Sequence, residues 1–311
     1  MAAVYLLGLL CVLGYVQGGP LAAVPAFIED IRSADPSWQS SRIVSGWPAV
    51  PGQIPYQISL RMINPAGGVS SCGGSIIHHQ WVITAAHCLA NRINFIVRFG
   101  LININEPELI AETTRKYIYP TYNESRAGVQ TDDLALLGLN EPIPYSNLIQ
   151  PARLQSRTQK NVEYDGVTLV VSGFGRTSDF GSGSPTLNWV LQRGVNLDEC
   201  KTYFPRSTVI RDSHICGRYY NVTTQTACQG DSGGPLTVVD NDGITTMVGV
   251  VSFGPGGGCS QIHPTVYVRP GHYHDWYVEV TGINFDWDSG VDSENDEDAN
   301  GGLDQVLISG F

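Results

Sequence analysis

Three short stretches of the 311-residue sequence hold the residue types that nucleophilic acyl transfer needs. They are Thr84-Ala-Ala-His87-Cys88, Asp132-Asp133-Leu-Ala-Leu-Leu137 and Gly230-Asp231-Ser232-Gly-Gly-Pro235. A hydroxyl is a weak nucleophile at neutral pH and attacks an amide only when a neighbouring base takes its proton. That base must be held in one tautomer, and the imidazolium it becomes needs a carboxylate beside it. Ser232, His87 and Asp133 supply those three roles, with Asp132 a competitor for the last. The glycines around Ser232 keep side chains away from the backbone N–H groups of Gly230 and Ser232, which can then hold a developing oxyanion.

The elements that must bring these residues together are strands. From about residue 43, short β-type runs at 56–60, 81–84, 95–99, 134–137, 168–172, 235–239 and 247–252 are separated by Gly- and Pro-marked breaks. Helical periodicity is nearly absent until 272–280, so the pattern predicts an all-β sandwich or barrel. Ser232 also satisfies the Gly-x-Ser-x-Gly pattern of the α/β-hydrolases. That fold requires the order Ser, acid, His on alternating strands and helices, whereas here His87 and Asp133 precede Ser232.

Composition narrows the setting. With 42% hydrophobic and 15% charged residues, disorder as the dominant state is excluded. The formal net charge of -11 is concentrated at the C-terminus, where residues 285–311 carry eight acids and no Lys or Arg. Residues 43–284 hold 18 acids against 16 bases, so the body offers no basic field to nucleic acid or to an anionic membrane. The acidic segment reads as a solvated tail; its partial calcium-loop pattern at 296–304 has Leu307 where a bidentate Glu is wanted. Residues 1–18 are apolar, too short to span a bilayer and followed by small residues, which reads as a secretory signal peptide. Beyond Cys11, six cysteines remain: Cys72, Cys88, Cys200, Cys216, Cys228 and Cys259. An even set without a Cys-x-x-Cys pair favours three disulfides over a metal, with 15 connectivities open. Sequons at Asn123 and Asn221 fit a secreted, extracellular chain.

Together with Cys72-Gly-Gly-Ser-Ile-Ile and Gln80-Trp-Val-Ile-Thr-Ala-Ala-His-Cys88, these motifs resemble the chymotrypsin-like (trypsin-fold) serine endopeptidases over residues 43–284, and are similar to the secreted digestive members of arthropods. The resemblance implies two six-stranded antiparallel Greek-key β-barrels, about 43–150 and 151–284, with a C-terminal helix and the active site in the cleft between them. In that pattern the acid directly precedes the Leu-Ala-Leu-Leu run, which selects Asp133 over Asp132. It also implies a zymogen with a propeptide at 19–42. Cleavage after Arg42 frees the Ile43 amine, which pairs with Asp231 in a buried ion pair that cannot exist while the amine is an amide. The implied disulfides are Cys72–Cys88, Cys200–Cys216 and Cys228–Cys259.

Specificity is where the sequence departs from the family's familiar patterns. The floor of the primary pocket, six residues before the nucleophile, is Thr226, where an acid would be needed to bind Arg or Lys. Ser252-Phe253-Gly254 is the strand expected to pair with substrate backbone, and Gly254 leaves the pocket mouth open. Thr265 stands where the family has glycine and shortens the pocket. An uncharged, shortened pocket favours Leu, Met or Phe, with an elastase-like preference for small residues as the alternative. A catalytically idle, adaptor-like homologue is the alternative outside enzymes, although all three triad residues are kept. Expected partners are protein or peptide substrates, an activating trypsin-like protease and protein inhibitors, with a monomeric chain and neither cofactor nor metal.

Overall fold

The computed structural model describes residues 25–27, 46–178, 181–223, 225–256, 258–259 and 262–288. The signal segment 1–18, the Arg42–Ile43 bond and the calcium-like stretch at 296–304 lie outside these residues. Two short strands, β1 (Pro25–Phe27) and β2 (Trp47–Pro48), come first in the chain and both join the sheet of the second half.

The first half contains β3 (Gln57–Ile63), β4 (Val69–His78), β5 (Trp81–Thr84), α1 (Ala86–Leu89), β6 (Asn94–Phe99), β7 (Leu109–Thr113), β8 (Lys116–Ile118) and β9 (Ala135–Gly138). Its strands run in the order β7-β6-β3-β4-β5-β9-β8. The two ends of this path are consecutive pieces of one stretch, 109–118, which leaves β6 and arrives on β9. Alternation in β6 explains the inside: Phe95, Val97 and Phe99 are fully buried, while Asn94, Ile96 and Arg98 are half-buried. A period of two places alternate side chains on opposite faces of a strand.

The second half contains β10 (Arg153–Leu154), β11 (Thr168–Gly173), β12 (Asn188–Val195), α2 (Leu197–Tyr203), β13 (His214–Tyr219), β14 (Pro235–Val239), β15 (Thr245–Pro255), β16 (Thr265–Val268) and α3 (His274–Thr281). The path β15-β14-β11-β12-β13-β16 closes because β16 also pairs with β15. Six antiparallel strands therefore form a barrel. β10 adds to it in parallel at Thr246 and Met247.

Two features differ from the sequence reading. Helix α2 was not anticipated, yet its signal is present: the Asn196 side chain accepts a hydrogen bond from Glu199 N at 2.9 Å, the Asn-x-x-Glu pattern of a capped helix start. The acidic segment, placed outside the domain from residue 285, is packed on it as far as 288. Asp286 is buried and accepts hydrogen bonds from the backbone N and the Nε of Arg157. Trp287 Nε1 donates to the Leu154 carbonyl at 2.9 Å, and the Arg153 guanidinium lies 4.0 Å from its ring centroid. A carboxylate and an indole with specific partners hold this piece of chain against the body.

The halves are stitched together by polar contacts as well as by a shared core. Ser172 Oγ of β11 donates to Gln57 Oε1 of β3 at 2.8 Å, with both residues buried. Gly73 N of β4 donates to the Ser232 carbonyl at 2.8 Å. The second contact ties the loop that carries Ser232 to the half that carries His87.

Candidate active site

His87 lies in the single turn α1, fastened by the Cys72–Cys88 disulfide to β4. Its Nδ1–H donates to Asp133 Oδ2 at 2.7 Å, and its backbone N–H donates to Asp133 Oδ1 at 2.8 Å. Asp133 is fully buried just ahead of β9 and accepts a third bond, from Ser252 Oγ of β15, at 2.6 Å. Burial alone would raise the pKa of this carboxyl. The opposing His87 charge and the bonds from His87 and Ser252 outweigh it and hold the pKa below the ordinary value. An ionised Asp133 therefore fixes the His87 tautomer and leaves Nε2 as the nitrogen directed elsewhere.

Asp132, the competing acid, is occupied on another side. Its carboxylate accepts bonds from the hydroxyls of Thr121 and Tyr273. The neighbouring acids thus have separate partners: Asp133 faces His87, whereas Asp132 faces Thr121 and Tyr273.

Ser232 is fully buried. The Cys88 sulfur lies 3.7 Å from both the Ser232 carbonyl oxygen and His87 Nε2, so the Ser232 backbone and the imidazole both approach this disulfide. Two glycines beside Ser232 are dictated by the turn. Gly230 has φ +98°, and a Cβ there would sit 3.0 Å from Gly175 Cα. Gly233 has φ +76°, and a Cβ there would sit 2.0 Å from Thr84 Oγ1. That hydroxyl donates to the Gly73 carbonyl at 2.8 Å, so it cannot readily move aside. Asp231 is buried, accepting from Gly175 N at 2.8 Å and from Cys228 N at 2.9 Å.

Of the three residues read as a specificity pocket, two come together. Thr226 and Thr265 are both buried, with their hydroxyls 3.0 Å apart. Thr265 starts β16, and Gly254 lies near the end of β15. Cys228 pairs with Cys259 beside them, and the third disulfide, Cys200–Cys216, joins α2 to β13. Asn123 and Asn221 are both exposed.

One contributor was not identified as such in the sequence. Ser252 was assigned only to the substrate strand, although a lone hydroxyl in the buried run Met247-Val-Gly-Val-Val-Ser252 needs a partner, and Asp133 provides it. His214 in β13 is fully buried against Phe253, and its Nδ1 accepts from Arg211 N at 3.2 Å. Burial lowers its pKa to about 4, so it is a neutral imidazole at physiological pH. Among the described residues, one cluster of potential metal ligands occurs: Cys72, His87 and Cys88. Its two sulfurs are bonded to each other and are not thiolate ligands. His272 and His274 donate from Nε2 to the carbonyls of Lys160 and Gln155.

The family model described as Trypsin matches residues 43–277. The chain belongs to the trypsin family. By that membership it is a serine endopeptidase with the trypsin-like fold. Trypsin 5G1 of Aedes aegypti is 34% identical over 276 residues, covering 88% of this chain and 95% of the relative. A collagenase of Hypoderma lineatum is 30% identical over 261 residues, covering 84% and 93%. Chymotrypsin-C of Mus musculus is 32% identical over 245 residues, covering 77% and 89%. The solved structure of HL collagenase superposes with a TM-score of 0.68 at 30% identity, covering 77% of this chain and 99% of that one. Relatives carrying trypsin, chymotrypsin and collagenase names leave substrate preference to the pocket residues of this trypsin-family chain.

Proposed function

We propose that the chain is a secreted zymogen, cleaved after Arg42, that hydrolyses peptide bonds through an acyl-enzyme on Ser232, after apolar residues of medium size. The observation that carries this reading is the array in which fully buried Asp133 accepts three hydrogen bonds, two of them from His87, whose Nε2 lies against the same Cys88 sulfur as the Ser232 carbonyl. His87 takes the Ser232 proton as Oγ attacks the scissile carbonyl and returns it to the leaving amine. Asp133 orients the imidazole and balances its positive charge. The N–H groups of Gly230 and Ser232 hold the oxyanion, and water then releases the acyl group by the reverse path.

Three disulfides and two exposed sequons support an oxidising, extracellular location. The activator is a protease that cuts after Arg, and the new Ile43 amine pairs with Asp231. The two threonine hydroxyls in contact support a shortened, uncharged floor that suits Leu, Met or Phe. Cleavage after Arg42 followed by organophosphate treatment tests the catalytic assignment: label on Ser232 is expected, and its absence refutes the assignment. Peptides differing only before the scissile bond test the pocket. Best turnover after Arg or Lys refutes the pocket assignment, and best turnover after Ala selects the elastase-like alternative.

A further inference from the structure

The segment ahead of the activation bond has a place in the cleft. Strand β1 pairs antiparallel with the end of β15, with Pro25 opposite Pro255, Ala26 opposite Gly254 and Phe27 opposite Phe253. Two of those three rungs fall on the Ser252-Phe253-Gly254 stretch assigned to substrate backbone. The direction is equally informative. From Pro25 to Phe27 the chain advances from Pro255 toward Ser252, whose hydroxyl rests on Asp133. Phe27 ends this approach with its ring stacked on His87, centroids 4.3 Å apart and planes at 24°. Phe27 is 6% exposed and forms one wall of a groove of about 400 Å³ with Cys72, His87, Cys88 and Tyr122. With the strand seated, Ser232 is fully buried and the His87 side chain is 7% exposed.

We propose that Pro25–Phe27 is a built-in occupant of the substrate cleft, lying in substrate direction and register, and that the subsite against His87 receives an aromatic side chain. This inference rests on the protease reading of the site. Backbone pairing to a free strand edge supplies affinity while side-chain pockets supply selectivity, the usual division in strand addition. The tether makes occupancy intramolecular, with an effective concentration in the millimolar range for short flexible connections. Residues 19–42 contain no cysteine, so a cut after Arg42 leaves no covalent bond between this strand and the body. Cleavage then lowers the effective concentration of the strand to that of the free fragment, and dilution empties the cleft. Activation thus has a second component besides the new Ile43 amine: departure of a competitive inhibitor.

The test uses the full chain cut after Arg42 and freed of its N-terminal fragment. Organophosphate labelling first establishes a working site. A synthetic peptide of residues 21–30 is then added during hydrolysis of an unrelated chromogenic peptide. Competitive inhibition is expected, including the case in which the added peptide is itself slowly cut. The F27A peptide is expected to be roughly ten- to hundredfold weaker, from the loss of one buried aromatic side chain. A scrambled peptide of equal potency, non-competitive inhibition, or an F27A peptide as potent as the parent overturns the proposal. Labelling without any competition overturns the strand alone, whereas failure of labelling removes the protease reading and the strand proposal with it.

Discussion

Replacing Thr265 by glycine tests whether two facing hydroxyls set the depth of the primary pocket. Thr265 is 1% exposed, and its Oγ1 lies 3.0 Å from that of Thr226. T265G removes all three heavy atoms of the side chain, Cβ, methyl and hydroxyl, and leaves Thr226 without that partner. A side-chain difference of this size in an apolar binding pocket changes discrimination by about 1–3 kcal/mol, or roughly 10- to 200-fold in relative kcat/KM. The ratio of kcat/KM for Phe over Leu before the scissile bond is therefore expected to rise at least tenfold. The fold should lose about 2 kcal/mol, from glycine in a strand and one lost hydrogen bond. Assays at 25 °C on matched chromogenic peptides, with thermal unfolding as a folding control, give both quantities. T265S keeps the hydroxyl pair and should shift the ratio less. A T265G ratio within threefold of the native value, in a folded protein, refutes the claim that Thr265 shortens the pocket.

Three further outcomes follow from the same structure. S252A removes one of three donors to buried Asp133, and a bond to a charged group contributes about 1.5–3 kcal/mol. A carboxylate with a depressed folded pKa stabilises the fold above its unfolded value and loses that contribution as pH falls through the folded value. Weakening the depression should lower stability at pH 7 and move acid unfolding to higher pH; an unchanged midpoint contradicts the role given to Ser252. His214 acts in the opposite chemical sense: the unfolded chain takes up its proton near 6.5, but the folded one only near 4, so stability drops as pH falls across that window. Urea unfolding at pH 7 and pH 4.5 should show H214M spared about 2–3 kcal/mol of this loss, and equal slopes would refute it. Truncation after Asn284 removes the Asp286 and Trp287 contacts and should cost about 2 kcal/mol by urea unfolding; a change below about 0.5 kcal/mol would show those contacts to be idle.

The chemistry of the site was legible where it depends on contiguous residues. The frames around His87 and Ser232 carry their neighbours with them: a cysteine that fastens the histidine turn, and glycines that the turn at 230–234 requires. The alternation in strands such as β6 was legible for the same reason, since a period of two is a local property of the chain. Helix α2 was overlooked because seven residues give almost no periodicity, and only its Asn196 cap marks it.

Sequence alone determined which residue types are available for acyl transfer, that the chain is built of short strands, and which family it resembles. Tertiary structure decided the partners of the buried polar groups. Asp132 and Asp133 are adjacent in sequence, yet Tyr273 claims one while Ser252 and His87 claim the other. Residues 46 to 141 positions away in the chain make that choice, because a buried carboxylate is stable only where folding delivers its donors. The seat of Phe27 against His87 is of the same kind. Nothing local to Pro25-Ala-Phe27 states where it binds; a free edge on β15 and an aromatic-sized space beside the imidazole do so, and both exist only once the strands have assembled.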